Sequence, residues 1–221
     1  MKVPLLTLLA GLVAADVPPN TLTPEETAAD WVLLFDGQEA DRLRHRGQVA
    51  AEKGQVVLGG AVGSRLGPND PLPAGFVFET EYRMPAGTQA ILLVEKRAET
   101  STVLARSTLP QLAADPDTWH RLSVTCAYDA VTGIRTLTRT VTVAGQAPTS
   151  ETLGHYQEEM NVGVWIEVMP GNRVHFQNLK LRAEQPARRG WLWLYAAGGV
   201  IAALVLAVLV WRRYRRTPAA A

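Results

Sequence analysis

The chain has 221 residues, of which 47% are hydrophobic and 19% charged, and its net charge is +1. All the acidic residues but only 17 of the 22 basic ones fall between Asp16 and Arg189, leaving that stretch at a net −4 and without the basic surface that nucleic-acid binding requires. The one cysteine, Cys126, excludes an intrachain disulfide, a multi-cysteine zinc site and a dithiol redox centre.

Met1-Lys2 is followed by an apolar stretch ending in Val13-Ala14-Ala15. The stretch is too short to span a bilayer but has the length, charge and small-residue exit of a signal peptide. Residues 1–15 are therefore expected to be a cleaved leader. Thr23-Pro24-Glu25-Glu26 has the hydroxyl cap, first-turn proline and glutamate of a capping box, which predicts a short helix over about 24–30. Beyond it the apolar pattern becomes alternating or runs in short blocks, predicting strands over residues 31–35, 55–58, 76–83, 89–94, 119–127, 134–143, 162–168 and 173–181. Strands without long intervening helices imply an all-β sandwich or barrel. In 134–143, Leu137, Val141 and Val143 alternate with Thr136, Thr138, Thr140 and Thr142, so one face is buried and one wet. Cys126, in phase with Leu122 and Val124, reads as a small buried hydrophobe. In the last strand the apolar phase slips between Phe176 and Leu179, predicting a bulge near Asn178. Gly59-Gly60-Ala61-Val62-Gly63 lacks the strand-turn-helix setting of a dinucleotide site and reads as a β connection.

Residues 184–190 form a short linker, and the 21 uncharged residues from Trp191 to Trp211 match the thickness of a bilayer as a transmembrane helix. Trp191, Trp193, Tyr195, Trp211 and Tyr214 suit its interfaces. The basic tail at 212–221, with Arg212, Arg213, Arg215 and Arg216, puts the C-terminus in the cytoplasm and the domain at 16–183 outside it, beside the membrane. A clipped sorting signal is the alternative reading of this end.

His-Glu-x-x-His, Gly-x-Ser-x-Gly, phosphate-loop and EF-hand patterns are absent. His45, His120, His155 and His175 have no ligand-like spacing, so neither a metal nor a cofactor is expected. Carboxylates offer more, because acids at i and i+2 of a strand share a sheet face, as carboxylate pairs that cleave glycosides require. Glu79 and Glu81 fit, with Arg83 extending the face, and Trp165 and Glu167 share another. Glu79, Glu81 and Glu167 are thus candidate catalytic acids, and Arg83 and Trp165 candidate ligand contacts. The structural alternative for Glu79, Glu81 and Arg83 is a solvated outer face with cross-strand charge pairs. For Trp165 it is packing under a loop.

Four segments, in order, resemble the 3-keto-disaccharide hydrolase domain family of the concanavalin A-like lectin and glucanase superfamily. They are Asn20-Thr21-Leu22-Thr23-Pro24-Glu25-Glu26 leading to Trp31-Val32-Leu33-Leu34-Phe35-Asp36-Gly37, then residues 76–83, 117–124 and 174–182. The resemblance implies a concanavalin A-like jelly roll of two antiparallel sheets and, for intact members, processing of oxidised glycosides outside the cytoplasm. The chain departs from the family at its centre. Residues 88–97 read Thr-Gln-Ala-Ile-Leu-Leu-Val-Glu-Lys-Arg where the family has Asn-Ser-Gly, an apolar run and Arg, and no Gly-Tyr-Glu-x-Gln follows between 98 and 118.

Three functions compete on this evidence. The first is a membrane-anchored extracytoplasmic module that binds a glycan or another envelope component. The second is a glycosidase using carboxylates among Glu79, Glu81, Glu95 and Glu167, a reading that clustering of Glu81 and Glu167 in one groove would favour. The third is a structural envelope protein with a protein partner.

Overall fold

The computed structural model describes residues 18–96, 102–110, 118–143, 146–157 and 162–184. In chain order these contain α1 (Pro24–Ala28), β1 (Trp31–Leu33), β2 (Leu43–Arg46), β3 (Val49–Glu52), β4 (Gln55–Gly59), β5 (Ser64–Pro68), β6 (Gly75–Arg83) and β7 (Ala90–Lys96). They continue with β8 (Thr102–Thr108), β9 (His120–Asp129), β10 (Ile134–Val143), β11 (Thr149–Gln157), β12 (Val162–Val168) and β13 (Arg173–Glu184). The helix forms for the reason its sequence suggests. Thr23 Oγ1 accepts from the Glu26 N–H, and the Glu26 carboxylate accepts from the Thr23 N–H, both at 3.1 Å, so two otherwise unpaired donors are satisfied reciprocally. Asp30, at φ 59°, then turns the chain into β1.

All the strand pairings are antiparallel. The larger sheet has the order β11-β10-β9-β6-β13-β4-β3, with β1 on the far half of β13, and the smaller has the order β2-β5-β12-β7-β8. The result is the all-β sandwich of two antiparallel sheets that the sequence implied. Each of the eight segments read as strands from the sequence is a strand, and β2, β3, β5, β8 and β11 are additional. The glycine-rich stretch at 59–63 is the crossing from β4 in the larger sheet to β5 in the smaller.

Period-two alternation sends one face of each sheet into a shared core. Leu58, Phe76, Phe78, Tyr82, Leu122, Val124, Leu137, Val174 and Phe176 come from the larger sheet, and Leu66, Leu92, Val94, Val164, Ile166 and Val168 from the smaller. Fully burying each such side chain contributes roughly 1.5–3 kcal/mol, and with no disulfide this burial has to hold the sheets together. Cys126 lies in that core, its Sγ–H donating to the Ala74 carbonyl at 3.3 Å.

The slip in β13 is a bulge. Gln177 faces Glu81 and Lys180 faces Glu79, so Asn178 and Leu179 together oppose Thr80. Asn178 takes φ 53°, a conformation asparagine tolerates better than most residues, and Leu179 returns to the core. Asn20 locks the bulge from outside. Its N–H donates to Asn178 Oδ1 at 2.5 Å, its Oδ1 accepts from the Asn178 N–H at 2.8 Å, and its Nδ2 donates to the Gly54 carbonyl at 2.5 Å.

Among the described residues no helix is long and apolar enough to cross a membrane. The leader expected at 1–15, the spanning segment expected at 191–211 and the basic tail lie outside the described residues, as do linker residues 185–190.

Two outcomes follow from these contacts. Asn20→Ala strips partners from the bulge and from Gly54, and is expected to cost about 1–3 kcal/mol in urea denaturation. Burial pushes the Cys126 thiol from an ordinary value of 9.0 up to about 11. The folded state therefore holds this proton more tightly than the unfolded chain, and the associated stability is intact below about pH 9 and lost as pH rises through about 11. Denaturation midpoints measured across that window should fall for the native protein and fall less for Cys126→Ala.

Candidate functional site

Odd-numbered residues of β6 point away from the core, so Glu79, Glu81 and Arg83 do share one face, the outer face of the larger sheet. Glu79 accepts from Arg121 at 2.5 Å and lies 3.5 Å from Lys180, which also pairs with Glu26 of α1. Burial would raise the Glu26 carboxyl, but the Lys180 ammonium and the Thr23 N–H outweigh it and hold it below its ordinary value. Glu81 accepts from Gln177 Nε2 and Asn178 Nδ2, each at 2.8 Å. Arg83 donates to Gln55 Oε1 at 3.3 Å and lies 5.0 Å from the Trp119 ring. A cavity of about 240 Å³ opens here between α1 and the sheet, bordered by Thr23, Glu26, Glu79, Glu81, Arg121 and Lys180. Glu26, Lys180, Glu79 and Arg121 pair with one another and Glu81 is held by two amides, so this is the outer face with cross-strand charge pairs that stood as the structural alternative.

The other sheet presents a different surface. Glu167 and Trp165 of β12 point away from the core, as do Glu95 of β7, Arg65 of β5 and Arg44 of β2. Register explains the grouping: Glu167 faces Arg65, Trp165 faces Leu93, and Arg44 faces Gly67. Arg65 spreads one guanidinium over two acids, with Nη1 3.1 Å from Glu95 and Nη2 3.4 Å from Glu167. Two carboxylates are thus gathered on one guanidinium.

Beside this triad the Arg44 guanidinium lies 4.0 Å from the centre of the Trp165 ring, a cation–π contact strengthened by poor hydration. Burial draws the Arg44 guanidinium below its ordinary value. Gly67 makes the stack possible, since a Cβ there would come 3.3 Å from the Trp165 ring and 2.2 Å from the Val164 carbonyl. Trp165 is only 6% exposed. It is not the open platform for a sugar ring that its position in the sequence suggested, because Arg44 occupies its face.

Glu81 and Glu167 lie on opposite outer faces of the sandwich, with the core between them, and so cannot act on one glycosidic bond. The neighbour of Glu167 is Glu95. Arg44, Arg65 and Gly67 escaped the sequence reading. The i, i+2 rule identifies acids on one strand but is silent on which strand lies alongside, and β2 and β5 are short and poorly patterned. Arg65 and Gly67 at i and i+2 were the available signal, a charge and a gap on one face of a five-residue strand. Among the described residues no group of three or more His, Cys, Asp and Glu side chains is placed to hold a metal.

No family model matches the chain, and no curated protein is similar to it in sequence. Solved structures do share its fold. A candidate glycosyl hydrolase from Parabacteroides distasonis superposes with a TM-score of 0.54 at 15% identity, covering 76% of this chain and all of that one. A second candidate glycosyl hydrolase from the same organism gives 0.47 at 10% identity over 70% of this chain and 99% of that one. A seed lectin of Lotus tetragonolobus gives 0.46 at 10% identity over 67% and 96%.

Removing the shared base should expose how much the triad depends on it. Arg65→Met removes the base that Glu95 and Glu167 share and is expected to destabilise the domain by about 1–3 kcal/mol, less than a fully buried pair because Arg65 is partly solvated. Adding Glu95→Gln and Glu167→Gln should restore most of that loss. Urea titration of the single and triple variants checks both, and an unchanged midpoint for Arg65→Met would mean that the triad does not form in solution.

Proposed function

We propose that this chain is an extracytoplasmic, membrane-anchored β-sandwich module that binds a glycan on the outer face of its smaller sheet. The Glu95–Arg65–Glu167 array carries this reading. It places planar donors and acceptors side by side on a rigid sheet, the chemistry that sugar hydroxyls engage, next to the Arg44–Trp165 stack. The fold shared with a candidate glycosyl hydrolase supports a carbohydrate ligand. The leader-like residues 1–15 and the apolar run at 191–211 support display of the domain outside the cytoplasm, close to the bilayer.

A second reading, hydrolysis of a glycoside such as a 3-keto-disaccharide, has one observation in its favour: Glu95 and Glu167 are gathered on one guanidinium. Against it stands the engagement of both acids by Arg65. The residues at 88–97 also lack the polar pattern that the resembled family carries there.

Saturation-transfer and time-course NMR of the full-length protein in detergent, mixed with a 3-keto-disaccharide and its unoxidised parent, separates the readings. Transfer to the sugars without turnover, weakened at least about tenfold by Arg65→Met as expected for loss of a charged hydrogen-bonding group, is the outcome for a binding module. Turnover abolished by Glu95→Gln or Glu167→Gln would make the protein a hydrolase. Absence of both signals would remove these sugars as ligands.

A further inference from the structure

The stack on the smaller sheet holds two unsatisfied donors. Trp165 Nε1 and Arg44 Nε are both buried and have no hydrogen-bond partner, and Trp165 as a whole is 6% exposed. Buried N–H groups are almost always paired, and leaving one unpaired costs roughly 1–3 kcal/mol. Two such donors, in side chains stacked with the Arg44 guanidinium 4.0 Å from the ring centre, are left for an acceptor that the domain itself does not supply.

The surrounding charge says what kind of acceptor that is. Arg46 faces Arg65 across the β2–β5 pair, and Arg106 faces Leu93 across the β7–β8 pair. Arg46 and Arg106 are exposed. Like charges directly opposite one another are destabilising in a sheet, so the Arg46–Arg65 pairing is not explained by stability. Arg44, Arg46, Arg65 and Arg106 outnumber Glu95 and Glu167 on this face, although residues 16–189 as a whole are net −4. Among the described residues of these rungs the acids are Glu95 and Glu167, both paired with Arg65, and Glu95 also acts on Arg44.

We propose that the glycan bound here is acidic, and that a sugar carboxylate is received by the Arg44–Trp165 pair, accepting from Arg44 Nε and Trp165 Nε1, with Arg46 and Arg106 supplying longer-range attraction. The inference rests on the glycan-binding reading above and specifies its ligand class. A guanidinium already fixed on an aromatic ring recognises a planar carboxylate at little further ordering cost.

The test titrates full-length protein in detergent with a uronic-acid hexasaccharide and with the same oligosaccharide reduced at its carboxyl groups to neutral sugars. The acidic probe is expected to bind about tenfold or more tightly than the neutral one, the discrimination of one charged hydrogen bond, with the preference shrinking as salt rises. Trp165→Phe keeps the ring and the stack but removes the N–H, and should cut the preference for the acidic over the neutral probe several-fold. Arg44→Lys keeps the charge but not the Nε donor, and should do the same.

Equal affinity for both probes would overturn the acidic ligand and leave the glycan-binding reading standing. Binding of neither would overturn both. Undiminished preference in Trp165→Phe and Arg44→Lys, or displacement of the acidic probe by glycerol phosphate at far lower concentration than by free uronic acid, would overturn the proposed site or its carboxylate ligand.

Discussion

A strand presents alternate side chains to opposite faces, and β13 has to obey that rule while meeting three partners at once. One edge runs along β6, while the other pairs first with β4 and then with β1. Strict alternation through all of it would turn Leu179 and the residues after it to the wrong side. The one-residue bulge at Asn178 resets the phase where the neighbour changes, and Asn20 ties that point to the turn before β4. The N-terminal segment, the closing strand and the centre of the larger sheet are thus coupled through a pair of asparagines. The position of Glu81, which accepts from both Gln177 and Asn178, is set by the same junction.

The two outer faces of the sandwich are chemically unequal. On the larger sheet α1 lies against the strands, and Glu26, Lys180, Glu79 and Arg121 neutralise one another in a chain. On the smaller sheet arginines exceed acids, one guanidinium serves two carboxylates, and a tryptophan is covered by a cation whose donors are not all used. Structural charge networks tend toward mutual satisfaction, because an unpaired buried polar group is costly. The smaller sheet departs from that state, and this asymmetry is the physical basis for assigning ligand binding to it. The sides of the sandwich are closed differently. Arg139 of β10 donates to Ser107 Oγ and the Thr108 carbonyl of β8 and pairs with Glu151 of β11, stitching an edge of one sheet to an edge of the other. On the opposite side the chain itself crosses between β2 and β3 and between β4 and β5. Both sides are thereby braced.

The sandwich was legible because its central strands are apolar on one face and carry period two over long stretches, as in Leu137, Val141 and Val143. The bulge was legible as a break in that period. Four of the strands that were not read, β2, β3, β8 and β11, are the outermost strands of their sheets, and Thr149–Gln157 shows why: with one covered face at most and polar residues on both, no alternation marks it. The fifth, Ser64–Pro68, contains a glycine and a proline that imitate a turn. The shared face of Glu79, Glu81 and Arg83 was also legible, but whether it was an inner, matched or open face was not. The partnership of Glu167 with Glu95 and Arg65 depends on which strands lie side by side, a property of topology that sequence spacing does not encode.

The central place of β13 also governs the order in which the fold can appear. It is the last strand to be synthesised, yet it sits between β6 and β4, and its contacts reach back as far as the 158 residues between Asn20 and Asn178. Until about residue 184 is available, the larger sheet is split into two fragments with exposed edges, and β1 has no partner at all. Pairings of such long range are slow to close and leave unpaired edges open to aggregation while they wait. Closure of the larger sheet therefore waits on β13, the strand that joins its two halves.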